Sequence, residues 1–120
     1  MDEEIGLNMQ NEGGVSVVSF QARSISDYNS ISVAAEQIRK FVDESSPKAV
    51  VVDFGQVKFF SSQVLGLLLE IRSRLKKSES EVVISSIDPQ LYRVFKITNL
   101  DKIFRFFDNK ESAIEALAVS

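Results

Sequence analysis

The chain has 120 residues, with 14 Lys+Arg against 17 Asp+Glu, a formal charge of −3, and neither Cys nor His. These absences exclude disulfide frameworks, thiol nucleophiles, Cys/His zinc sites, the Ser-His-Asp relay and any imidazole base. The acidic balance offers no electrostatic footprint for nucleic acid, and 44% hydrophobic residues suffice for one core without room for a second, so a single domain over residues 1–120 is expected.

Met1-Asp2-Glu3-Glu4 is acidic where a secretion signal is basic, and the longest apolar runs are a few residues long, so neither export nor direct membrane insertion is expected. The lack of Cys fits a reducing cytoplasm, the expected location. Ile5, Leu7 and Met9 alternate with polar or small residues, Asn11-Glu12-Gly13-Gly14 supplies turn residues, and Val15 to Phe20 is a β-branched run. This pattern predicts an N-terminal β-hairpin, with residues 1–13 forming its first strand and turn and leaving room for mobility. From Ser30 to Glu44, Val33, Ala34, Ile38, Phe41 and Val42 recur at helical spacing with charged residues between them, an amphipathic helix preceded by a loop at Asp27, Tyr28 and Asn29. Ser45-Ser46-Pro47 closes it, and Ala49-Val50-Val51-Val52 reads as a central strand buried on both faces.

A second helix is predicted from Ser62 to Leu75, with Leu65, Leu68, Leu69, Ile71 and Leu75 on one broad face. Arg74, Lys76 and Lys77 sit at its end, opposing the partial negative charge of the last carbonyls. Val82-Val83-Ile84 is another buried strand, and Asp88-Pro89 sets an N-cap before a first-turn proline, opening a helix with Leu91, Val94 and Phe95 inward. Ile103 to Phe107 reads as an edge strand, and Asn109 caps a final helix from Glu111 to Leu117. The alternation implies an α/β fold whose mixed, mostly parallel sheet has about four to five strands, with about four helices.

Two segments are candidates for chemistry. Asp53 ends the central strand, where open α/β sheets place their ligands. A phospho-acceptor aspartate there would need an acidic cluster after the first strand to hold a magnesium ion, and Gln21-Ala22-Arg23 stands in that place. Asp53 is thus read as a loop carboxylate accepting backbone amides. The second segment, Phe59-Phe60-Ser61-Ser62-Gln63, delivers two hydroxyls to a helix N-terminus. One serine there can serve as N-cap, worth about 1 kcal/mol. Alternatively a hydroxyl is phosphorylated, adding roughly −1.5 to −2 charges beside the positive end of the helix. Neither glycine-rich phosphate-binding motif occurs among the five glycines, and no cofactor is expected. Most of the nine phenylalanines belong to the core; those on a loop or the edge strand could face a partner, and that edge permits a weak homodimer without requiring one.

Taken together, Val51-Val52-Asp53-Phe54-Gly55-Gln56-Val57-Lys58-Phe59-Phe60-Ser61-Ser62-Gln63-Val64-Leu65-Gly66-Leu67-Leu68 resembles the signature region of STAS domains, especially bacterial anti-sigma factor antagonists. The family pattern is an apolar strand, an Asp, a short loop, then D-S-[SA]-G-L-G opening a helix. Ile87-Asp88-Pro89, Val94-Phe95 and Thr98-Asn99-Leu100-Asp101-Lys102-Ile103-Phe104 resemble the family's later helix, "T-G-L" turn and last strand, and Asp108 to Ala116 resembles its closing helix. The likeness runs from about Gly14 to the C-terminus. It implies a STAS-like fold and a phosphorylated serine at Ser62, with Ser61 the lesser candidate. The partner it implies is an anti-sigma factor that is also a serine kinase with a histidine-kinase-like ATP-binding fold. In the motif Ser61 replaces the Asp, Gln63 the small residue and Val64 the Gly, while Leu65 and Gly66 remain. The family's early acidic position falls on Ser26 or Asp27.

The expected role is therefore a non-enzymatic binding module, switched off by phosphate on Ser62, with Asp27, Tyr28, Asn29, Ser61, Ser62, Gln63 and Val64 at the partner surface and Asp53 and Gly66 structural. A second reading keeps the fold without the switch, as a constitutive scaffold subunit of a multi-protein or lipid-transport assembly; the altered motif favours it. A third, hydrolysis or phosphoryl transfer by Asp53 with Ser62, lacks a base, a metal cluster or a phosphate loop.

Overall fold

The structure is a computed structural model that describes residues 6–118. Ile5 and the acidic Met1 to Glu4 lie outside the described residues. A hairpin comes first, β1 (Leu7–Glu12) and β2 (Val15–Phe20) in antiparallel register with Leu7 opposite Phe20 and Glu12 opposite Val15. The turn is tighter than the four expected residues. Asn11 and Glu12 still pair in β1, because Gly13 and Gly14 alone supply the positive φ that reverses the chain.

After a short strand β3 (Ser24–Ile25) come α1 (Tyr28–Ser45), β4 (Ala49–Asp53), a second short strand β5 (Phe59–Phe60), α2 (Ser62–Lys76), β6 (Glu81–Ser85), α3 (Pro89–Ile97), a 3₁₀ turn (Leu100–Lys102), β7 (Arg105–Phe107) and α4 (Lys110–Ala118). The main sheet runs β1-β2-β4-β6-β7, parallel everywhere except the hairpin, with β4 in the centre. β3 and β5 pair in parallel as a separate two-stranded ribbon.

The unbroken apolar strands follow from burial on both faces. Val50 and Val52 of β4 and Val82 and Ile84 of β6 point into the larger core, which α1, α2 and α3 cover. Val51 and Val83, one residue out of phase, join Val15, Val17 and Ala113 under α4. A chain of rings fills the end of the larger core: Phe20 to Phe54 at 5.4 Å, Phe54 to Phe60 at 5.7 Å, Phe60 to Phe95 at 6.0 Å and Phe95 to Phe106 at 5.2 Å. Most of the phenylalanines are buried there or partly so, and Phe59 is the exposed one.

Three expected faces shift. Val33 is 56% exposed, and Ile31 and Ala35 join Ala34, Ile38 and Val42 on the buried face of α1. In α2, Val64 and Leu67 are buried and Leu69 is exposed. Ile103 and Phe104 precede the last strand, because the 3₁₀ turn consumes the chain up to Lys102 and only Arg105 to Phe107 pair with β6.

Before that turn Asn99 sits at φ 62, a left-handed conformation that asparagine tolerates better than other non-glycine residues. The glycine of the family's turn is therefore replaceable here for a local reason. Asn99→Gly is expected to hold or raise stability by up to about 1 kcal/mol, and Asn99→Val to lower it by about 1–2 kcal/mol, measured by urea denaturation. Equal midpoints for the two variants would show that the conformation at this position is dispensable.

Candidate functional site

The ribbon of β3 and β5 brings two helix starts together. The amides of Lys58 and Phe59 both donate to the Arg23 carbonyl, at 2.7 and 3.0 Å, and the Ser61 amide donates to the Ile25 carbonyl at 2.9 Å. The segment entering α2 is thereby fixed against the segment entering α1. Asp27 then nucleates α1: one carboxylate oxygen accepts from the Ser30 amide and the Ser30 hydroxyl, each at 2.8 Å. Tyr28 and Asn29 consequently lie in the first turn of a helix, not in the loop expected from the pattern of apolar residues. The Ser30 amide, with the Ser30 hydroxyl second, holds the Asp27 carboxyl below the usual carboxylate range.

Ser61 occupies the N-cap position of α2 with extended backbone, φ −85 and ψ 165, but its side chain makes no capping bond. Its Oγ is buried and without a hydrogen-bond partner among the described residues. The expected serine cap is therefore not formed, and the Ser61 carbonyl instead accepts the Val64 amide at 3.0 Å. Ser62, the first residue of α2, is exposed. Gln63 reaches across to α1, its Nε2 donating to the Tyr28 carbonyl at 3.3 Å and standing 3.5 Å from the Ser32 hydroxyl. Val64 corrects the expectation that it faces a partner: it is fully buried, so its branched side chain fills core, not surface.

Asp53 and Ser85 are register partners at the ends of β4 and β6, and the Ser85 hydroxyl donates to Asp53 Oδ1 at 2.7 Å. The other carboxylate oxygen accepts the Gly55 amide at 3.3 Å, and a Cβ on Gly55 would come within 3.1 Å of it. The carboxylate thus ties two strand ends and the following turn. Asp88 caps α3 by accepting the Gln90 amide at 2.9 Å, and it also pairs with Lys58 Nζ at 3.2 Å. These two contacts hold its carboxyl below the usual range, the Gln90 amide contributing most.

Between α1 and α2 runs a groove of about 340 Å³. Ile31, Ala35 and Leu67 form its apolar part, Gln63 and Ser32 mark one end, and the Arg39–Glu70 ion pair at 2.9 Å marks the other. Gly66 lines it, exposed and in mid-helix, where glycine costs about 0.5–1 kcal/mol relative to alanine. The signal lay in the spacing of Tyr28, Ser32, Ala35 and Arg39 and of Gln63, Gly66 and Glu70, each on one helical face. Knowing that the two faces meet requires the tertiary structure.

Open sheet, crossover helices and an exposed hydroxyl at the start of the second long helix define a class of small α/β module. The STAS domain family profile matches residues 7–113, and the chain belongs to that family. Among its relatives, an anti-sigma F factor antagonist from Paenibacillus polymyxa is 20% identical over 113 residues, covering 94% of this chain and 95% of that one. An anti-sigma factor antagonist from Mycobacterium paratuberculosis is 30% identical, with TM-score 0.79 over 95% of this chain and 94% of its own. A STAS domain protein from Planctomyces limnophilus superimposes with TM-score 0.85 at 23% identity, over 93% and 97% of the two chains. The same fold is seen in the Bacillus cell fate determinant SpoIIAA, solved in its phosphorylated form, at 16% identity and TM-score 0.72 over 92% of this chain and 98% of that one. Among the described residues of the present chain no helix is long and apolar enough to cross a membrane.

The depressed Asp27 carboxyl makes a pH prediction. A carboxyl whose folded value lies below its ordinary 3.8 contributes its full stability above that value and loses it as pH falls through the folded value. Asp27→Asn keeps a capping acceptor without the titrating proton. Its melting temperature is expected to fall less steeply than that of the wild type between about pH 5 and about pH 2. Parallel acid profiles would show that the cap does not hold the carboxylate.

Proposed function

We propose that this chain is an anti-sigma factor antagonist of the cytoplasm: a non-enzymatic module that binds an anti-sigma factor, frees the sigma factor, and is released when Ser62 is phosphorylated. The partner is a serine kinase with a histidine-kinase-like ATP-binding fold. The observation that carries the reading is the difference between the two adjacent serines: Ser62 is exposed at the first position of α2, whereas the Ser61 hydroxyl is buried. A kinase can therefore reach Ser62 Oγ, transfer the γ-phosphoryl group of ATP to it, and leave ADP and the hydroxyl proton. The names of the relatives support the antagonist role, and SpoIIAA illustrates that this fold accommodates a phosphorylated state.

The added phosphate sits at a helix N-terminus, where the backbone dipole favours negative charge, so the fold itself does not oppose it. The partner surface does, through repulsion and the cost of desolvating a dianion. Tyr28 and Asn29 stand exposed in the adjoining first turn of α1 and would share that surface with Ser62 and Gln63, while Asp27 positions them.

The substitutions of Ser61, Gln63 and Val64 in the motif favour a second reading, a scaffold subunit without a switch. One experiment separates the two. With the anti-sigma factor that co-purifies from native cells, ATP is expected to add one phosphoryl group to the wild type and none to Ser62→Ala. Ser62→Asp should weaken the complex by roughly 10-fold or more, since a charge without a complement at an interface costs about 1.4 kcal/mol at the least. Ser62→Ala should bind as the wild type does. Equal binding by all three proteins, without phosphate, would overturn the switch in favour of the scaffold.

A further inference from the structure

We propose that β1 is a self-pairing edge, through which two copies of this chain join antiparallel into one continuous sheet. The proposal stands apart from the functional reading above, since it uses neither Ser62 nor the start of α2. Among the described residues β1 is the end strand of the main sheet, with β2 on one side and no strand on the other. The hairpin fixes which backbone groups face that open side. Gly13 and Gly14 form a two-residue turn with positive φ, so Glu12 and Val15 exchange hydrogen bonds across it, and every second pair along the ladder does the same. The Gln21 amide donates to the Gly6 carbonyl at 2.8 Å in the same phase, so Gly6, Asn8, Gln10 and Glu12 turn their backbone groups toward β2. The amides and carbonyls of Leu7, Met9 and Asn11 therefore point outward.

Edge strands are ordinarily blunted by shortness, by Lys or Pro, or by a bulge. The opposite edge, β7, is three residues long and opens with Arg105, which disfavours the self-association expected of Ile103 to Phe107 and moves it to the other end of the sheet. By contrast β1 runs six residues in unbroken register, Leu-Asn-Met-Gln-Asn-Glu, with neither Lys nor Pro and with Glu12 as its single charge.

The register selects a second copy as the occupant. An antiparallel pair must set outward-facing residues opposite outward-facing residues. A twofold axis at Met9 does so throughout: Met9 meets its own copy and Leu7 meets Asn11, giving about six backbone hydrogen bonds. Asn8 then lies opposite Gln10, amide beside amide, and each Glu12 lies opposite Gly6 at the far ends, so no like charges face each other. The helix beside this edge agrees. Asn11 Nδ2 donates to Ser45 Oγ of α1 at 3.3 Å, and the residues sharing that helical face with Ser45, namely Phe41, Gln37, Ala34 and Ser30, carry no charge. Val33, 56% exposed, stands one turn before Gln37. The flank of α1 that faces α2 instead carries Arg39 and Asp43, each in an ion pair with that helix. Half-buried Leu7, Met9 and Phe41 lie along an edge that offers little to a charged strand and matches a copy of itself.

The chain has no Cys, so introduced cysteines report the register. When Asn8→Cys and Gln10→Cys proteins are mixed and oxidised, the disulfide between the two variants is expected to exceed either self-linked product by about 5-fold or more. Positions 8 and 10 face each other across the axis, whereas like positions lie on a diagonal about 7–8 Å apart, too far for a bridge. Sedimentation of the purified chain is expected to show dimer growing between about 10 μM and about 1 mM, the weak range of a small interface. Met9→Pro removes an amide that β2 does not use, and is expected to raise the dimer Kd roughly 10-fold or more. The cysteine pairing carries the test alone if the proline variant folds poorly. A constant monomer mass up to about 1 mM, a mixed disulfide no more abundant than the self-linked ones, or a folded Met9→Pro protein that dimerises like the wild type would each overturn the proposal. Protection of the Leu7, Met9 and Asn11 amides from hydrogen exchange in a monomer would give the edge to another segment of the chain, and protection only with a co-purifying protein would give it to that protein; either result also overturns it.

Discussion

The pairing of β3 with β5 is the contact on which the arrangement of the site depends. Each strand is only two residues long, and of their four side chains only Ile25 and Phe60 are buried. Their apolar burial is modest, but their hydrogen bonds are directional: the Arg23 and Ile25 carbonyls receive three amides from the segment between Lys58 and Ser61. That places the start of α2 beside the start of α1. Without the ribbon, Gln63 could not reach the Tyr28 carbonyl, and the groove between the helices would open at the end nearest Ser62. The α1 end is already met by the Asp27 carboxylate, so the uncapped helix start at this corner is that of α2, where the backbone dipole favours negative charge. In the proposed switch a phosphate on Ser62 would meet that end, and its consequence would fall on the docked partner.

The frame behind the site is asymmetric. Three helices cover one face of the sheet and α4 alone covers the other, yet the valines of β4 and β6 are buried on both faces. The aromatic chain from Phe20 through Phe54, Phe60 and Phe95 runs beneath the loops at the carboxyl ends of the strands. Phe54 and Phe60 flank the β4–β5 connection, so the loop leading to Ser61 is anchored through large side chains at both ends. Asp53 adds a polar tie, joining β4 to Ser85 and to the Gly55 amide. A loop held in this way presents a surface whose shape is set before any partner arrives, which lowers the ordering cost of association.

The parts of the fold legible in sequence were those with long periods or strong local chemistry. Val50 to Val52 could hardly be other than a strand buried on both faces, and Asp88-Pro89 and Asn109 marked helix starts that the structure bears out, with Asn109 Oδ1 accepting the Ser112 amide at 2.8 Å. Two-residue strands have no period to detect, so β3 and β5 were invisible, and with them the reason the helix starts converge. Val33 cannot be placed from sequence, because an apolar residue on an exposed helical face looks the same there as one that faces the core, and packing against the sheet decides between them. Residue type offers either of the two serines as a cap, whereas capping depends on side-chain placement, and the Ser61 hydroxyl makes no capping bond.

The departures from the family motif sort by the physics of each position. Asn99 replaces a glycine at a left-handed turn that asparagine accepts. Val64 replaces a glycine where the structure has room for core, and it is fully buried. Gln63 replaces a small residue and uses its length to bridge the two helices. Ser61 replaces an aspartate, and it alone shows no local compensation: its hydroxyl is buried without a partner among the described residues, and a hydroxyl left so costs about 1–3 kcal/mol. Aspartate there would present a charge in place of that hydroxyl, immediately before the serine at the start of the helix. With serine instead, the acidic neighbour is gone, and in the proposed switch the charge at the start of α2 would come from the single exposed hydroxyl of Ser62.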